Sequence, residues 1–88
     1  MASRPVVLVG HAHMCPIHGP GVVVTGSPTS ILNGRPVARV GDLVSCGATI
    51  ITGSAIASLD DGHPIARLGD VTSHGGTLIE GESDWLLD

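Results

Sequence analysis

Phenylalanine and tyrosine are missing from this sequence, and Trp85 is its only aromatic residue. That excludes a nucleic-acid platform built on stacked rings. Basic residues are almost as scarce, four against eight acidic ones for a net charge of -4, so no positive stripe can neutralise phosphates. Long apolar runs are lacking as well. The first ten residues hold one arginine and an apolar stretch from Pro5 to Val9, too short for the core of a signal peptide or for a membrane span. The chain is therefore expected to be made in the cytosol without a leader. Cysteine is limited to Cys15 and Cys46. In a reducing compartment two cysteines read as thiols or metal ligands before they read as a disulfide, although a Cys15 to Cys46 bridge stays open.

Turn-forming residues are plentiful, with 13 Gly and 6 Pro set among Val, Ile, Thr and Ser. Many short strands joined by tight turns follow, and no apolar 3.6-residue period lasts beyond one turn. The fold class is all-β, with no helix longer than about two turns. The 88 residues are expected to form a single domain, 1–88, and a chain of that size buries too little apolar surface to be stable without a staple.

The chain repeats itself in three sectors. The first runs Val22-Val-Val-Thr-Gly26-Ser27, then Ser30-Ile-Leu-Asn-Gly34-Arg-Pro-Val-Ala-Arg-Val-Gly41. The second runs Thr49-Ile-Ile-Thr-Gly53-Ser54, then Ala57 through Asp60-Asp61-Gly62 to Gly69. Asn33-Gly34 and Asp60-Asp61-Gly62 are hairpin turn signals, because their central positions favour positive φ. Pro36 and Pro64 follow as strand starts, where a missing N–H is tolerated. The third sector begins at Thr77-Leu-Ile-Glu-Gly81 and stops at Asp88 before its hairpin turn. Its missing half stands at the N-terminus, where Arg4-Pro-Val-Val-Leu-Val-Gly10 parallels Arg35-Pro-Val-Ala-Arg-Val-Gly41. Pairing of this strand with the region of Trp85 to Leu87 closes a small, pseudo-threefold, three-sided β module and removes its open side edges.

The staple is expected in the turns. Gly10 to Gly19 packs His11, His13, Cys15 and His18 together, and the turns after Gly41 and Gly69 carry Cys46 and His74. A tetrahedral zinc site takes four Cys or His ligands and, when closed, is structural. His18-Gly19 matches Cys46-Gly47 and His74-Gly75, each leading into a strand, which selects His18, Cys46 and His74, with His13 on the longer first turn as the fourth ligand. Counting forward from Gly10, Gly41 and Gly69 selects Cys15, Cys46 and His74 instead, and Cys15 with His18 is the competing chelate. His11 stands where the other sectors have Asp42 and Asp70, which assigns it a turn or ligand-orienting role. His63, beside Asp60 and Asp61, reads as solvated.

The stretches Gly34-Arg-Pro-Val-Ala-Arg39-Val-Gly-Asp42 and Gly62-His-Pro-Ile-Ala-Arg67-Leu-Gly-Asp70 resemble the proline-alanine-alanine-arginine motif, and the whole chain is similar to the PAAR-repeat proteins. Val37 and Ile65 replace the first alanine, and the third copy near Leu8 lacks the arginine. The resemblance implies a sharp cone of short strands with one structural zinc near the vertex. It also implies a base seated on the trimeric valine-glycine repeat spike protein of bacterial type VI secretion, strand edges continuing into the spike by β-augmentation. A small-molecule substrate is not expected. The tip would assemble in the bacterial cytoplasm, leave with the spike and meet a target membrane by mechanical puncture, with effector cargo riding non-covalently. With the sequence ending at Asp88, it would be a bare tip. Two other classes stand beside this reading. A zinc hydrolase would use Glu80, Asp42 or Asp70 as base, but HExxH and GxSxG are absent. A metal-stabilised adaptor for another partner would share the fold, and the ion itself could be iron in place of zinc.

Overall fold

Three strand pairs and one three-stranded sheet organise the chain. The computed structural model describes residues 4–60 and 62–87. Among these residues there is no helix, and none is long and apolar enough to cross a membrane. The strands are β1 (Arg4–Val6), β2 (Ala12–Cys15), β3 (Gly19–Val22), β4 (Ile31–Leu32), β5 (Arg35–Pro36), β6 (Ser58–Leu59), β7 (His63–Pro64), β8 (Thr77–Leu78) and β9 (Glu82–Leu87). Gly and Pro punctuate the sequence too often for anything longer.

The turns follow their residue chemistry. Asn33 and Gly34 have φ of 52° and 80°, so β4 and β5 form a hairpin with Ile31 opposite Pro36 and Leu32 opposite Arg35. In the second hairpin Asp60 and Gly62 have φ of 48° and 96°, and Leu59 faces His63; Asp61 lies outside the described residues. The terminal strands are neighbours. β1 runs antiparallel to β9, Arg4 opposite Leu87 and Pro5 opposite Leu86, and the register shifts between Pro5 and Val6. This ribbon supplies the half-sector that the C-terminal end lacks.

At the centre three strands close on one another. Ala38 N donates to Val7 O at 2.8 Å, Val7 N to Ala66 O at 3.0 Å, and Ala66 N to Ala38 O at 3.0 Å. Each of the three segments is thus donor to one neighbour and acceptor from the other. Successive residues on a strand point to opposite faces, so this ring separates two apolar clusters. On one side Val7, Ala38 and Ala66 pack with Val23, Val44, Ala48, Ile50 and Leu78, with Cys46 at the margin. On the other, Val6, Leu8, Val37 and Ile65 pack with Leu32, Leu59, Trp85 and Leu87 from the two hairpins and the terminal ribbon. The backbones converge where the motif places alanine, and a small side chain there lets them approach.

The same turn is built in each sector. Asp42 N donates to Arg39 O and Asp70 N to Arg67 O, both at 3.0 Å, and each aspartate accepts from the backbone N–H of that arginine at 2.7 Å. The arginine side chains then fold back onto the same carboxylates. In the remaining sector His11 N donates to Leu8 O at 3.1 Å and Leu8 N to His11 Nδ1 at 2.9 Å. Leucine and histidine replace arginine and aspartate together, so no ion is buried without its counterion. Leu8 is fully buried as a result.

Candidate metal centre

The ligand-type turns owe their geometry to a left-handed glycine. Gly47 N donates to Val44 O and Gly75 N to Thr72 O, which closes two tight turns with Cys46 and His74 just before glycines at φ 91° and 80°. Gly19, at φ 78°, follows His18 in the longer first turn, where Cys15 at the end of β2 pairs with Gly19 at the start of β3. The three turns converge because β2 pairs with both β3 and β8, while Ser45 N reaches Val22 O and Ser73 N reaches Thr49 O, each at 2.8 Å.

The donor atoms of Cys15, Cys46 and His74 lie within 4.8 Å of one another. Cys46 Sγ is 3.7 Å from His74 Nδ1. A sulfur and a nitrogen on one tetrahedral zinc are about 3.6 Å apart, given Zn–S and Zn–N bonds of about 2.3 and 2.05 Å. The His18 ring centroid stands 5.3 Å from that of His74, with His18 exposed. His13 is fully buried; its Nε2 meets Thr72 Oγ1 at 2.9 Å, while its Nδ1 has no hydrogen-bond partner. A buried ring nitrogen left bare is costly unless something else takes its lone pair. Cys46 packs against the first apolar cluster, and the two thiols and one imidazole of its group suit zinc or another thiophilic ion.

Of the four residues selected from sequence, Cys46 and His74 fall in the tight cluster, the His18 ring lies tilted beside that of His74, and His13 keeps a buried nitrogen without a hydrogen-bond partner. Cys15, the competing donor, is in the tight cluster too, buried at 1 % exposure. Counting from the upstream glycines carries that signal. Thr72, which holds His13 Nε2, had no signal in the sequence, since it becomes a neighbour only when the third turn meets β2.

Two of these groups, His13 and Cys15, are held toward their unprotonated forms. Burial first, then the neighbouring His74 ring, holds His13 below the usual imidazole pKa. Burial raises the Cys15 thiol, but the backbone N–H groups of His18 and Ile17 and the Cys46 thiol bring it below the usual thiol value. His11 is also held low, by burial and then by Arg35, which suits a neutral Nδ1 accepting from Leu8. Asp70 is held below the usual carboxylate value because its bonds from Arg67 and Thr52 outweigh the effect of burial.

These shifts have a common sign. A histidine or carboxylate whose folded pKa is depressed takes up a proton more readily when unfolded, so its stability contribution is whole above the unfolded pKa and is lost as pH falls through the folded one. The metal-free protein is expected to lose stability in two stages, below about pH 6.5 through His11 and His13, then below about pH 3.9 through Asp70. Melting temperatures from about pH 7.5 to about pH 2.5 would check this, and a flat profile across the histidine range would refute the first stage.

Space at the site is tight. A Cβ built on Gly76 would lie 2.5 Å from His13 Nε2, 2.7 Å from Met14 O and 2.8 Å from Thr72 Oγ1. Gly76→Ala is expected to cost about 1–3 kcal/mol by overpacking and, if His13 holds an ion, to loosen metal binding. A substitution that leaves both the melting temperature and the metal affinity unchanged would contradict the contact. Glu80, by contrast, accepts from Ala12 N at 2.8 Å, the bond that Thr25 Oγ1 takes from Leu43 N and Thr52 Oγ1 from Val71 N. It continues a structural row and leaves little reason to see a catalytic base.

A comparison with curated proteins returns no match. The PAAR motif family matches twice, over residues 1–52 and over residues 21–80, so that the two matches together take in all but the last eight residues. That family is a structural spike-tip family of type VI secretion, and the chain adds to the match an all-β architecture and a Cys15, Cys46 and His74 group that could hold a metal ion. The chain belongs to the PAAR motif family.

Proposed function

We propose that this chain is a metal-pinned tip for a type VI spike, folded as one domain with pseudo-threefold symmetry. The closed exchange of hydrogen bonds among Val7, Ala38 and Ala66 carries the reading, since each of three sectors giving and taking one bond is the pattern that a threefold arrangement would produce. The metal turns and the hairpins lie beyond opposite apolar clusters, which supports a cone with the ion near its vertex and the hairpins at its base. His13, His18, Cys46 and His74 would hold one zinc ion, and four protein ligands would leave it no catalytic position. The ion ties three turns together where few side chains can pack, and that resists local unfolding at the point.

The base would meet the end of a trimeric valine-glycine repeat spike. Ile31, Ile56 and Leu86 are 56 %, 80 % and 50 % exposed on the two hairpin segments and the terminal ribbon, an apolar set that a partner's end face would cover. Assembly in the bacterial cytoplasm, export with the spike and non-covalent effector cargo belong to the same proposal. Co-purification with a trimeric spike protein tests it: one chain per spike trimer is expected, and Ile56→Asp should abolish the complex while leaving the melting temperature unchanged. A stable complex with a different partner through the same face would instead favour the adaptor reading.

A further inference from the structure

Cys15, Cys46 and His74 bring three donor atoms within 4.8 Å of one another, and two of the three are thiols. We propose that Cys15 is the resolving thiol for Cys46, so that an external disulfide converts the metal centre into a Cys15 to Cys46 disulfide and releases the ion. The inference rests on the reading above in taking Cys46 as a ligand and Cys15 as the spare donor.

The geometry sets the order of events. The two sulfurs lie within 4.8 Å of each other and need to draw together to an S–S bond of about 2.05 Å. Cys15 is buried on β2, whereas Cys46 is half-buried on the 44–47 turn, so an incoming reagent reaches Cys46 first. The Cys46 thiolate attacks one sulfur of the external disulfide; a mixed disulfide forms, and the expelled thiolate is protonated from solvent. The Cys15 thiolate then attacks the Cys46 sulfur, and the second thiolate leaves and is protonated in the same way. Two cysteine sulfurs are oxidised, and one external disulfide is reduced to two thiols. The new bond ties β2 to the 44–47 turn, as the ion did, while His74 and the 72–75 turn lose their tie. A metal staple of a reducing compartment would thus become a covalent staple in an oxidising one.

Oxidised glutathione is the probe, applied to the full chain with zinc bound and after chelation. Intact mass, mapping of alkylated peptides and zinc release are read together. In the metal-free protein the expected product is an internal disulfide joining the peptides of Cys15 and Cys46. With zinc bound the same product should form at least about tenfold more slowly, with zinc leaving in step. Cys15→Ser should stop at a stable glutathione adduct on Cys46. Glutathione adducts that persist on both cysteines would overturn the proposal, as would equal rates with and without zinc. A chain that takes up no zinc overturns the metal reading and the release of an ion, while the metal-free arm still decides whether Cys15 resolves Cys46.

Discussion

Removing the metal is expected to lower the melting temperature of the wild-type protein by about 15–30 °C. An ion present at a thousand times its dissociation constant stabilises the folded state by about 4 kcal/mol, and in a domain of this size each kcal/mol is worth about 4–8 °C. If His13, His18, Cys46 and His74 hold the ion, Cys46→Ser replaces a thiolate by a poor zinc ligand and should abolish most of the response to chelator. Cys15→Ser should keep that response, at a cost limited to the packing of one buried sulfur. Calorimetry on the three proteins, with and without chelator, reads the ranking directly. The reverse order would assign Cys15 to the ion in place of His13 or His18. Insensitivity of all three to chelator would remove the staple.

Deleting residues 1–9 is expected to abolish cooperative unfolding altogether. Val6, Val7 and Leu8 are each fully buried, and at about 1.5–3 kcal/mol per side chain their loss rivals the whole stability of a small domain. The backbone loss is as serious. Without Val7 the ring keeps only the bond from Ala66 to Ala38, and β9 loses its partner and becomes an open edge. Leu8→Ala offers a milder check, with an expected cost of about 2–5 kcal/mol. A truncated chain that melts like the full one would show that the sectors close without their N-terminal strand.

The all-β class, the two hairpins and the pairing of the chain ends were legible in the residues. Asn33-Gly34 and Asp60 to Gly62 encode positive φ locally, and Arg4 to Gly10 repeats the half-sector that is missing at the other end. The place of His11 was legible for the same reason, because it stands three residues after Leu8 as Asp42 stands after Arg39. Turn chemistry and sequence repeats need no knowledge of what lies across the molecule. The mutual exchange of bonds among Val7, Ala38 and Ala66 does need it, as does the choice among five metal donors. Spacing along the chain placed Cys15 and His18 in competition for one position, but the pairing of β2 with β3 and β8 decides which atoms come within reach of Cys46 and His74. That pairing also brings Thr72 to His13 Nε2 and leaves Nδ1 bare, a contact between residues 59 apart in the chain. Local propensity sets each turn, whereas the distance between two turns is set by the strands and the apolar clusters that hold them, and only the folded chain contains that information.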